Sequence, residues 1–180
     1  DSMQVYRYLN IGTAKPTLEE RAAVPHHLID VVDPDESFSV ALYQSLARTA
    51  IDQVIQCGKL PILVGGSGLY VWSVIEGWEV PRVVPDAGFR NRMEERAAAE
   101  GVESLYRELQ RVDPEAAKSI DPRNVRRVIR ALEIHRGGDA SPQPRRKTKP
   151  PFDTLIVGLT AERRRLYEMI DRRVDRMIKQ

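Results

Sequence analysis

A glycine-rich turn, GGSGLY at residues 65–70, is a place in the sequence suited to binding a phosphate group. It lies between an apolar run, KLPILV, and a segment of helical character. Such a turn directs backbone N–H groups and a helix N-terminus at an anion, and the hydroxyl of Ser67 adds a further donor. Tight turns also use glycine for purely steric reasons, so both interpretations stay open. The sequence contains no G-x-x-x-x-G-K-S/T, so the main phosphate cradle of a nucleotide-binding fold is absent from these residues.

Asp1 opens the chain in the stretch DSMQVY, which has the character of a buried strand that ends in a functional segment. Open α/β sheets bind ligands at the carboxyl ends of their strands, so this carboxylate could serve as a general base or a metal ligand. A carboxylate that caps a helix or a turn is the structural alternative. His26 and His27, together with Asp30 and Asp33, suggest a metal site. However, adjacent histidines in an extended segment point to opposite faces, and the spacing fits no zinc pattern. Packing and hydrogen bonding are therefore the favoured roles for both.

Arginines are concentrated in the second half of the chain, most densely in RNVRRVIRALE at residues 123–133. The spacing predicts a helix whose buried face is formed by Val125, Val128, Ile129 and Leu132. Arg126 and Arg130 lie one turn apart on the exposed face, with Arg127 beside them. Glu133 can pair with Arg130. Several guanidinium groups on one helical face suit phosphate groups, and a solvated charged surface is the alternative.

The order of predicted elements indicates an α/β layered domain followed by a helical insertion. A helix over 38–57 ends at Gly58, the buried strand KLPILV follows, and a second helix starts after the glycine turn. Beyond a proline-marked connector, four helical stretches without strand signals precede a basic, Pro-rich linker. FDTLIVGLT then predicts another buried strand, and the last helix carries apolar residues at four-residue spacing. The predicted domains are an α/β core over 1–85, a helical insertion over 86–138, the linker over 139–151, and a return strand and helix of the core over 152–180.

Composition excludes several classes of protein. With 180 residues, 42% of them hydrophobic, the chain can bury one core with an appendage. No apolar run reaches the roughly 18 residues of a membrane-spanning helix, so no membrane association is expected. The single cysteine, Cys57, rules out an internal disulfide and predicts a reducing compartment. The chain begins without methionine and its last helix ends without a cap, so we expect both ends to be cut.

Six segments of the sequence, taken together, resemble those of one enzyme family. DSMQVY, NIGTAKP, VPHHLID, GKLPILVGGSGLY, NVRRVIRALE and RRRLYEMIDRRVDRM occur in the order and spacing of the tRNA dimethylallyltransferases, also called tRNA isopentenyltransferases. The resemblance covers residues 1–136 and 153–178 and fails only in the linker. It implies an α/β fold with a P-loop-kinase-like parallel sheet core and a helical insertion domain that helps to grip the anticodon stem. It also implies a P-loop upstream of Asp1 and further tRNA-contacting helices downstream of Gln180.

The resemblance implies transfer of a dimethylallyl group from dimethylallyl diphosphate to N6 of adenosine 37 in tRNA. The implied cofactor is Mg²⁺, the implied partner is the anticodon stem-loop of tRNA, and we expect a cytoplasmic monomer. Without a P-loop, the 180-residue chain by itself is expected to be inactive or nearly so. Two alternatives stay open: a catalytically inactive RNA-binding relative that keeps the arginine-rich insertion, and a P-loop kinase of small molecules.

The resemblance also implies roles for individual residues, carried over position by position. The implied catalytic residues are Asp1 as the general base for the adenine amine, Ser67, where many relatives have threonine, and Arg90 near the reacting diphosphate. The residues implied to bind the tRNA substrate are Asp1, Ser2, Met3, Gln4, Arg126, Arg127, Val128, Ile129 and Arg130. Relatives often carry glutamine at the position of Arg126. Thr13 and Lys15 lie in a motif implied to bind the diphosphate, and no residue is implied as a metal ligand.

Overall fold

The chain divides into two compact units. The computed structural model describes residues 2–81, 83–138, 147–148 and 152–179. Unit 1 comprises Asp1–Glu76 and Pro150–Gln180, and unit 2 comprises Gly77–Lys149. Each unit is described by itself below.

The described residues form a short 3₁₀ helix and eight α-helices. In chain order these are the 3₁₀ helix Ser2–Val5, α1 Leu18–Ala23, α2 Val40–Gln56, α3 Gly68–Ile75, α4 Ala87–Glu100, α5 Val102–Val112, α6 Pro114–Ser119, α7 Val125–Arg136 and α8 Arg163–Ile178. Side chains that accept a backbone N–H fix several helix starts, as Ser39 does for α2, Asp113 for α6 and Asn124 for α7. The predicted helix over 38–57 is confirmed as α2.

The predicted P-loop-kinase-like parallel sheet core is wrong, because the described residues contain no β-strand. Residues 59–66 and 153–160, in the two predicted strands, have no regular secondary structure, and Gly66 lies in a bend. Pairing in the described part of the chain is limited to isolated bridges, a parallel one between Tyr6 and Val32 and an antiparallel one between Trp78 and Lys147. The predicted burial is also missing, since Leu60 is 82% exposed and Leu159 is 96% exposed. A strand needs a neighbouring chain for its N–H and C=O groups, and an apolar run does not supply one.

Unit 1 is organised around the packing of α2 against α3. The side-chain amide of Gln44 on α2 donates to the carbonyl oxygen of Ser73 on α3 at 2.6 Å. The rings of Phe38, Tyr43 and Tyr70 form an aromatic cluster at the same junction, with 4.7 Å between the centroids of the two tyrosines. The four-residue apolar spacing of α8 does not lead to burial, since no residue of α8 is buried among the described residues. Across the described residues, no helix is both long and apolar enough to cross a membrane.

Unit 2 is a helical bundle in which α5 packs against α4, α6 and α7. Leu105 and Leu109 on α5 are both fully buried, as their spacing of four residues on one helix face predicts. The phenolic hydroxyl of Tyr106 donates to the carbonyl oxygen of Ala117 at 2.8 Å and so fixes α6 against α5. The buried core consists of Phe89, Leu105, Leu109, Ala116, Ala117, Val128, Ile129, Ala131 and Leu132. This core holds α4 and α7 side by side, and the site described next lies between them.

Candidate functional site

A buried carboxylate on α7, that of Glu133, is the centre of a cluster of charged groups in unit 2. Its side chain is only 3% exposed. Oε1 accepts hydrogen bonds from the backbone N–H of Asp86 at 2.7 Å and from Nε of Arg90 at 3.0 Å. Oε2 accepts from Nη2 of Arg90 at 2.8 Å and from Nη1 of Arg130 at 2.5 Å. Four donors therefore satisfy the acceptor capacity of one carboxylate.

Two helices bring these groups together. Arg130 and Glu133 are three residues apart on α7, so they share one face of that helix. Arg90 lies in the first turn of α4, which begins where the side chain of Asp86 accepts the N–H of Phe89 at 2.9 Å. Asp86 thus caps α4 with its carboxylate and anchors α4 to α7 with its own N–H. Arg130 is fixed a second time, because its Nη2 donates to the carbonyl oxygen of Val83 at 2.9 Å.

Glu133, Arg90 and Arg130 together carry an excess of positive charge. Burial alone would raise the pKa of the Glu133 carboxyl, but hydrogen bonds from Arg90, Arg130 and the Asp86 N–H lower it to about 2. The same carboxylate raises the pKa of Arg90. One carboxylate then faces two guanidinium groups, and both are partly exposed: the side chain of Arg90 is 38% exposed and that of Arg130 is 31% exposed. Exposed guanidinium groups with unused N–H donors can bind a phosphate group.

The predicted tRNA-binding segment on α7 separates into side chains with different surroundings. Arg126 and Arg127 are exposed, and no carboxylate within the described residues forms an ion pair with either. Val128 and Ile129 lie in the core of unit 2 at 0% and 3% exposure, so neither side chain is available to contact RNA directly. Arg130 belongs to the Glu133 cluster. The roles implied for this segment stay predictions, with the exposed arginines as its accessible part.

In unit 1, the predicted base-pocket and diphosphate residues form a hydrogen-bonded network. Nε2 of Gln4 donates to the carbonyl oxygens of Thr13 at 3.0 Å and Ala14 at 2.9 Å. The hydroxyl of Thr13 donates to the carbonyl oxygen of Leu9 at 2.6 Å. The network brings together Gln4 and Thr13, which the sequence places in separate motifs. It also uses the hydroxyl proton that a diphosphate would otherwise receive from Thr13.

The ammonium group of Lys15 is likewise engaged within unit 1. Its side chain is 5% exposed, and Nζ donates to the carbonyl oxygen of Tyr6 at 2.7 Å and to Oδ1 of Asp30 at 2.6 Å. Nη1 of Arg21 contacts the other oxygen of Asp30 at 2.8 Å. The hydrogen bond from Lys15 is the main reason why the pKa of Asp30 is lowered, with Arg21 adding to it and burial opposing it. Lys15 thus joins distant segments, and its implied diphosphate role stays a prediction.

The glycine-rich turn leads into α3, and Ser67 occupies the position just before that helix. Its side chain makes no capping hydrogen bond, while its carbonyl oxygen accepts the N–H groups of Tyr70 and Val71 at 3.0 and 3.1 Å. A Cβ added at Gly65 or Gly66 would meet nothing within 4 Å, so the turn is open. Of the other predicted pocket residues, Ser2 is half-buried, Met3 is 46% exposed and Asp1 lies outside the described residues.

A family model described as IPP transferase matches residues 4–180. The chain belongs to the IPP transferase family. It is 51% identical over 179 residues to a tRNA dimethylallyltransferase of Roseiflexus sp. (strain RS-1), an alignment that covers 99% of this chain and 59% of that relative. It is also 51% identical over 181 residues to a tRNA dimethylallyltransferase of Herpetosiphon aurantiacus, covering 100% of this chain and 58% of the relative. The family resemblance of the sequence is confirmed.

Solved structures agree with this assignment to the IPP transferase family. The full-length tRNA isopentenylpyrophosphate transferase from Bacillus halodurans is similar with a TM-score of 0.59 and 47% identity, over 99% of this chain and 56% of that one. A eukaryotic dimethylallyltransferase acting on tRNA is similar with a TM-score of 0.79 and 30% identity, over 99% of this chain and 45% of that one. The chain spans about half the length of the relatives that it matches.

Mg²⁺ is the cofactor predicted for this member of the IPP transferase family, but the described part of the chain contains no cluster of ligands for it. There, no three His, Cys, Asp or Glu side chains are grouped so that they could hold a metal ion. His26, considered in the metal alternative, is exposed, and its Nδ1 lies 2.7 Å from the carbonyl oxygen of Val24. These residues do not by themselves fit the ion, and no step is assigned to it.

Sequence reasoning missed the partnership between Glu133 and Arg90. The spacing on α7 predicts the pair of Glu133 with Arg130, but Arg90 is 43 positions away along the chain. No local pattern signals a contact at that distance. The hydrogen bond from the Asp86 N–H to Glu133 could not be predicted either, since every residue except proline has a backbone N–H. The only available sign was an acidic residue at the end of an arginine-rich helix.

Proposed function

We propose that the protein transfers a dimethylallyl group from dimethylallyl diphosphate to N6 of adenosine 37 in tRNA. The observation that carries this proposal is the match to the IPP transferase family over residues 4–180. Relatives named tRNA dimethylallyltransferase, at 51% identity, support it. The proposal includes a monomer in the cytoplasm that binds no membrane.

Unit 2 is the part of the chain proposed to contact the tRNA backbone. Arg126 and Arg127 support this because both are exposed and neither is neutralised by a described carboxylate. Arginine binds phosphate through a planar set of N–H donors, and most protein contacts to nucleic acid go to the backbone. Val128 and Ile129 would act indirectly, since their burial sets the orientation of the helix that carries the two arginines.

Unit 1 is proposed to hold the target adenine. A base in the anticodon loop can leave its stack for a few kcal/mol, and single-stranded loops are where proteins read RNA bases. Gln4 supports this role. Only its NH₂ group can donate to the carbonyls of both Thr13 and Ala14, so its amide has one orientation. Its Oε1, to which no described residue donates, can then accept a hydrogen bond from the adenine amine, beside Ser2 and Met3.

The chemical step needs a base and a group that stabilises the leaving diphosphate. The exocyclic amine of adenine is a weak nucleophile, so its proton must leave as the C–N bond forms. Asp1, outside the described residues, is proposed to accept that proton, a contribution of about 10²–10⁴ in rate. Arg90 and Ser67 are proposed to stabilise the negative charge that develops on the diphosphate.

The test uses the full-length gene product, dimethylallyl diphosphate and an anticodon stem-loop RNA. We expect prenylated adenosine in the RNA, detected by mass spectrometry after digestion. Asp1→Asn should abolish turnover and leave RNA affinity within about twofold, because it removes the base and keeps the shape. An inactive RNA-binding protein would bind the stem-loop without any product, and a kinase would transfer phosphate from ATP. Either result would contradict the proposal.

A further inference from the structure

We propose that Glu133 is a positioning residue whose carboxylate holds the guanidinium groups of Arg90 and Arg130 as one pair, and that this pair binds a phosphate group. The inference rests on the proposed function. It adds a residue that does not touch the substrate and a site formed by two arginines that are 40 positions apart in the sequence. The phosphate could belong to the RNA backbone or to the prenyl diphosphate.

The geometry of the cluster fixes both guanidinium planes. Arg90 is held through Nε at 3.0 Å and Nη2 at 2.8 Å, one to each oxygen of Glu133. Arg130 is held through Nη1 by Glu133 at 2.5 Å and through Nη2 by the carbonyl oxygen of Val83 at 2.9 Å. Two hydrogen bonds to a planar group set its orientation as well as its position. Because Oε2 is shared, the two guanidinium groups are also fixed relative to each other.

Burial separates the roles within the cluster. Glu133 is 3% exposed and cannot meet a ligand, whereas Arg90 and Arg130 are 38% and 31% exposed and can. A guanidinium group has five N–H donors, and each arginine donates two of them to other described residues, so about three on each have no partner in that part of the chain. These remaining donors are what a phosphate would accept.

The charge balance favours a ligand-binding role over a purely structural one. A single arginine would neutralise the buried carboxylate, and a second one leaves the three groups Glu133, Arg90 and Arg130 with a net charge of +1. Glu94 also acts on Arg90, but it raises the pKa of that guanidinium group less than Glu133 does. Arg136 does not change this balance, because it faces the carboxylate of Asp86 at 3.8 Å. Within the described residues, no carboxylate other than Glu133 forms an ion pair with either arginine, so the three groups combine a rigid arrangement with a net positive charge, which suits anion recognition.

Glu133→Gln tests the proposal because an effect of charge and an effect of positioning would change the affinity for phosphate in opposite directions. If charge alone mattered, losing one negative charge would tighten phosphate binding. If Glu133 positions the arginines, Glu133→Gln should weaken it by roughly tenfold, the scale typical of removing a group that orients a ligand-binding side chain. The full-length gene product is titrated at fixed salt with the anticodon stem-loop RNA and, separately, with inorganic pyrophosphate. Circular dichroism at the assay temperature verifies folding.

A matched control is available in the same helical unit. Glu108 pairs with Arg96, and both side chains are 33% exposed. Glu108→Gln makes the same chemical change beside a single arginine, so we expect both affinities to stay within about twofold of the parent.

Arg90→Lys and Arg130→Lys test the pair while Glu133 itself is left in place. Lysine keeps the charge but lacks the planar set of donors, so each change should weaken phosphate binding by several-fold. In the Arg90→Lys background, Glu133→Gln should have a smaller effect than in the parent, because the two changes disrupt the same arrangement. A residue needed only for stability would not show this coupling in affinity. Parental affinity for both lysine variants would overturn the proposal, even if Glu133→Gln failed to fold.

The two probes distinguish the source of the phosphate. A loss confined to pyrophosphate assigns the pair to the diphosphate, and a loss confined to the stem-loop assigns it to the RNA backbone. Either result supports the proposal. Unchanged or tighter binding of both probes by Glu133→Gln overturns it, while the proposed function stands if the parent still prenylates RNA. A parent that binds neither probe overturns both.

Discussion

The two units of the chain carry similarly strong apolar patterns and bury them to very different extents. In unit 2, Leu105 and Leu109 are fully buried. In unit 1, Leu60 and Val64 of one predicted strand are 82% and 85% exposed, and Leu159 of the other is 96% exposed. A helix satisfies its own backbone, so an apolar face and nearby helices are enough to form a core. A β-strand needs a neighbouring segment to pair with, and its own sequence does not specify one.

The units also differ in how they use a carboxylate with two cations. In unit 1, Asp30 is 30% exposed and forms ion pairs with Lys15 and Arg21, and the side chain of Lys15 is only 5% exposed. In unit 2, Glu133 is buried and its two arginines reach the surface. The composition of the two clusters is the same, one anion and two cations. Burial decides the outcome: unit 1 uses a buried cation to join segments, and unit 2 keeps its cations available to a ligand.

The largest effect is expected when the stability lost by Leu105→Ala is compared with that lost by Leu60→Ala, which tests the difference in burial. Leu105→Ala should destabilise unit 2 of the 180-residue chain by about 2–5 kcal/mol, because it leaves a cavity in the bundle. Leu60→Ala should change the stability of unit 1 by less than about 0.5 kcal/mol, since that side chain is exposed. Urea unfolding followed by tryptophan fluorescence measures both, because Trp72 lies in unit 1 and Trp78 in unit 2. Equal losses would contradict the exposure of Leu60.

This contrast explains how much of the fold could be predicted from the sequence. The helices of unit 2 can be predicted because the sequence signals for a helix are local. Examples are the capping residue Asp113 before Pro114 and the apolar face of α7. The prediction of a parallel sheet is wrong because the sequences KLPILV and FDTLIVGLT indicate only that these segments are apolar. Whether such a segment pairs depends on which other segments lie beside it, and periodicity carries no information on that.

The candidate site was predictable to a similar degree and for the same reason. The exposure of Arg126 and Arg127 follows from helical spacing within one element. The contact between Arg90 and Glu133 joins α4 and α7, and that of Lys15 with Asp30 joins two loops. Such contacts depend on the tertiary arrangement. Residue types in a sequence therefore indicate which groups could do chemistry, but not which partners already occupy them.

Acid pH should affect unit 2 through Glu133. Its pKa is about 2 in the fold against an ordinary 4.5, so its stabilising contribution is complete above about pH 4.5 and is lost as pH falls toward 2. The contribution is on the order of 3 kcal/mol. Unfolding of unit 2 followed by Trp78 at pH 2 to 6 measures it, and Glu133→Gln should remove this dependence. The hypothesis fails if Glu133→Gln and the parent lose stability equally over that range. The pKa of Asp30 is also lowered, so unit 1 should lose stability with acid in the same direction.

Two glycines with similar backbone angles offer a smaller comparison between the units. Gly77 in unit 2 has φ of +59°, and a Cβ there would lie 2.1 Å from the carbonyl oxygen of Thr148. Gly58 in unit 1 has φ of +67°, and a Cβ there would meet nothing within 4 Å. Gly58→Ala should cost about 1 kcal/mol from backbone strain alone. Gly77→Ala should cost about 2 kcal/mol or more, because Thr148 also loses its two hydrogen bonds to the Gly77 carbonyl at 2.9 and 2.8 Å.

Thermal unfolding of both alanine variants gives the comparison directly. The difference between the two losses isolates the contact with Thr148, because the backbone cost is shared. Equal losses would show that the segment around Thr148 moves aside without penalty.

Removing the exposed arginines of unit 2 should have the smallest effect on stability and a clear effect on RNA binding. Arg126→Ala and Arg127→Ala should each change the free energy of unfolding by less than about 0.5 kcal/mol, because neither forms an ion pair within the described residues. Each should weaken stem-loop binding by the full-length gene product several-fold. Each should also reduce the slope of log affinity against log salt by about 0.7–0.9, the value of one phosphate contact.

Arg164→Ala in unit 1 is a control that matches these variants in charge, although Arg164 pairs with Glu168 at 3.5 Å. Arg164 is 86% exposed on α8, and the change removes the same charge from the chain. If the available cations of unit 2 are what the RNA backbone meets, Arg164→Ala leaves both the affinity and the salt slope unchanged. If it weakens binding as much as Arg126→Ala does, net charge governs the interaction, and the functional contrast between the two units disappears. The salt slope decides between these outcomes because it counts phosphate contacts without reference to the sequence of the RNA.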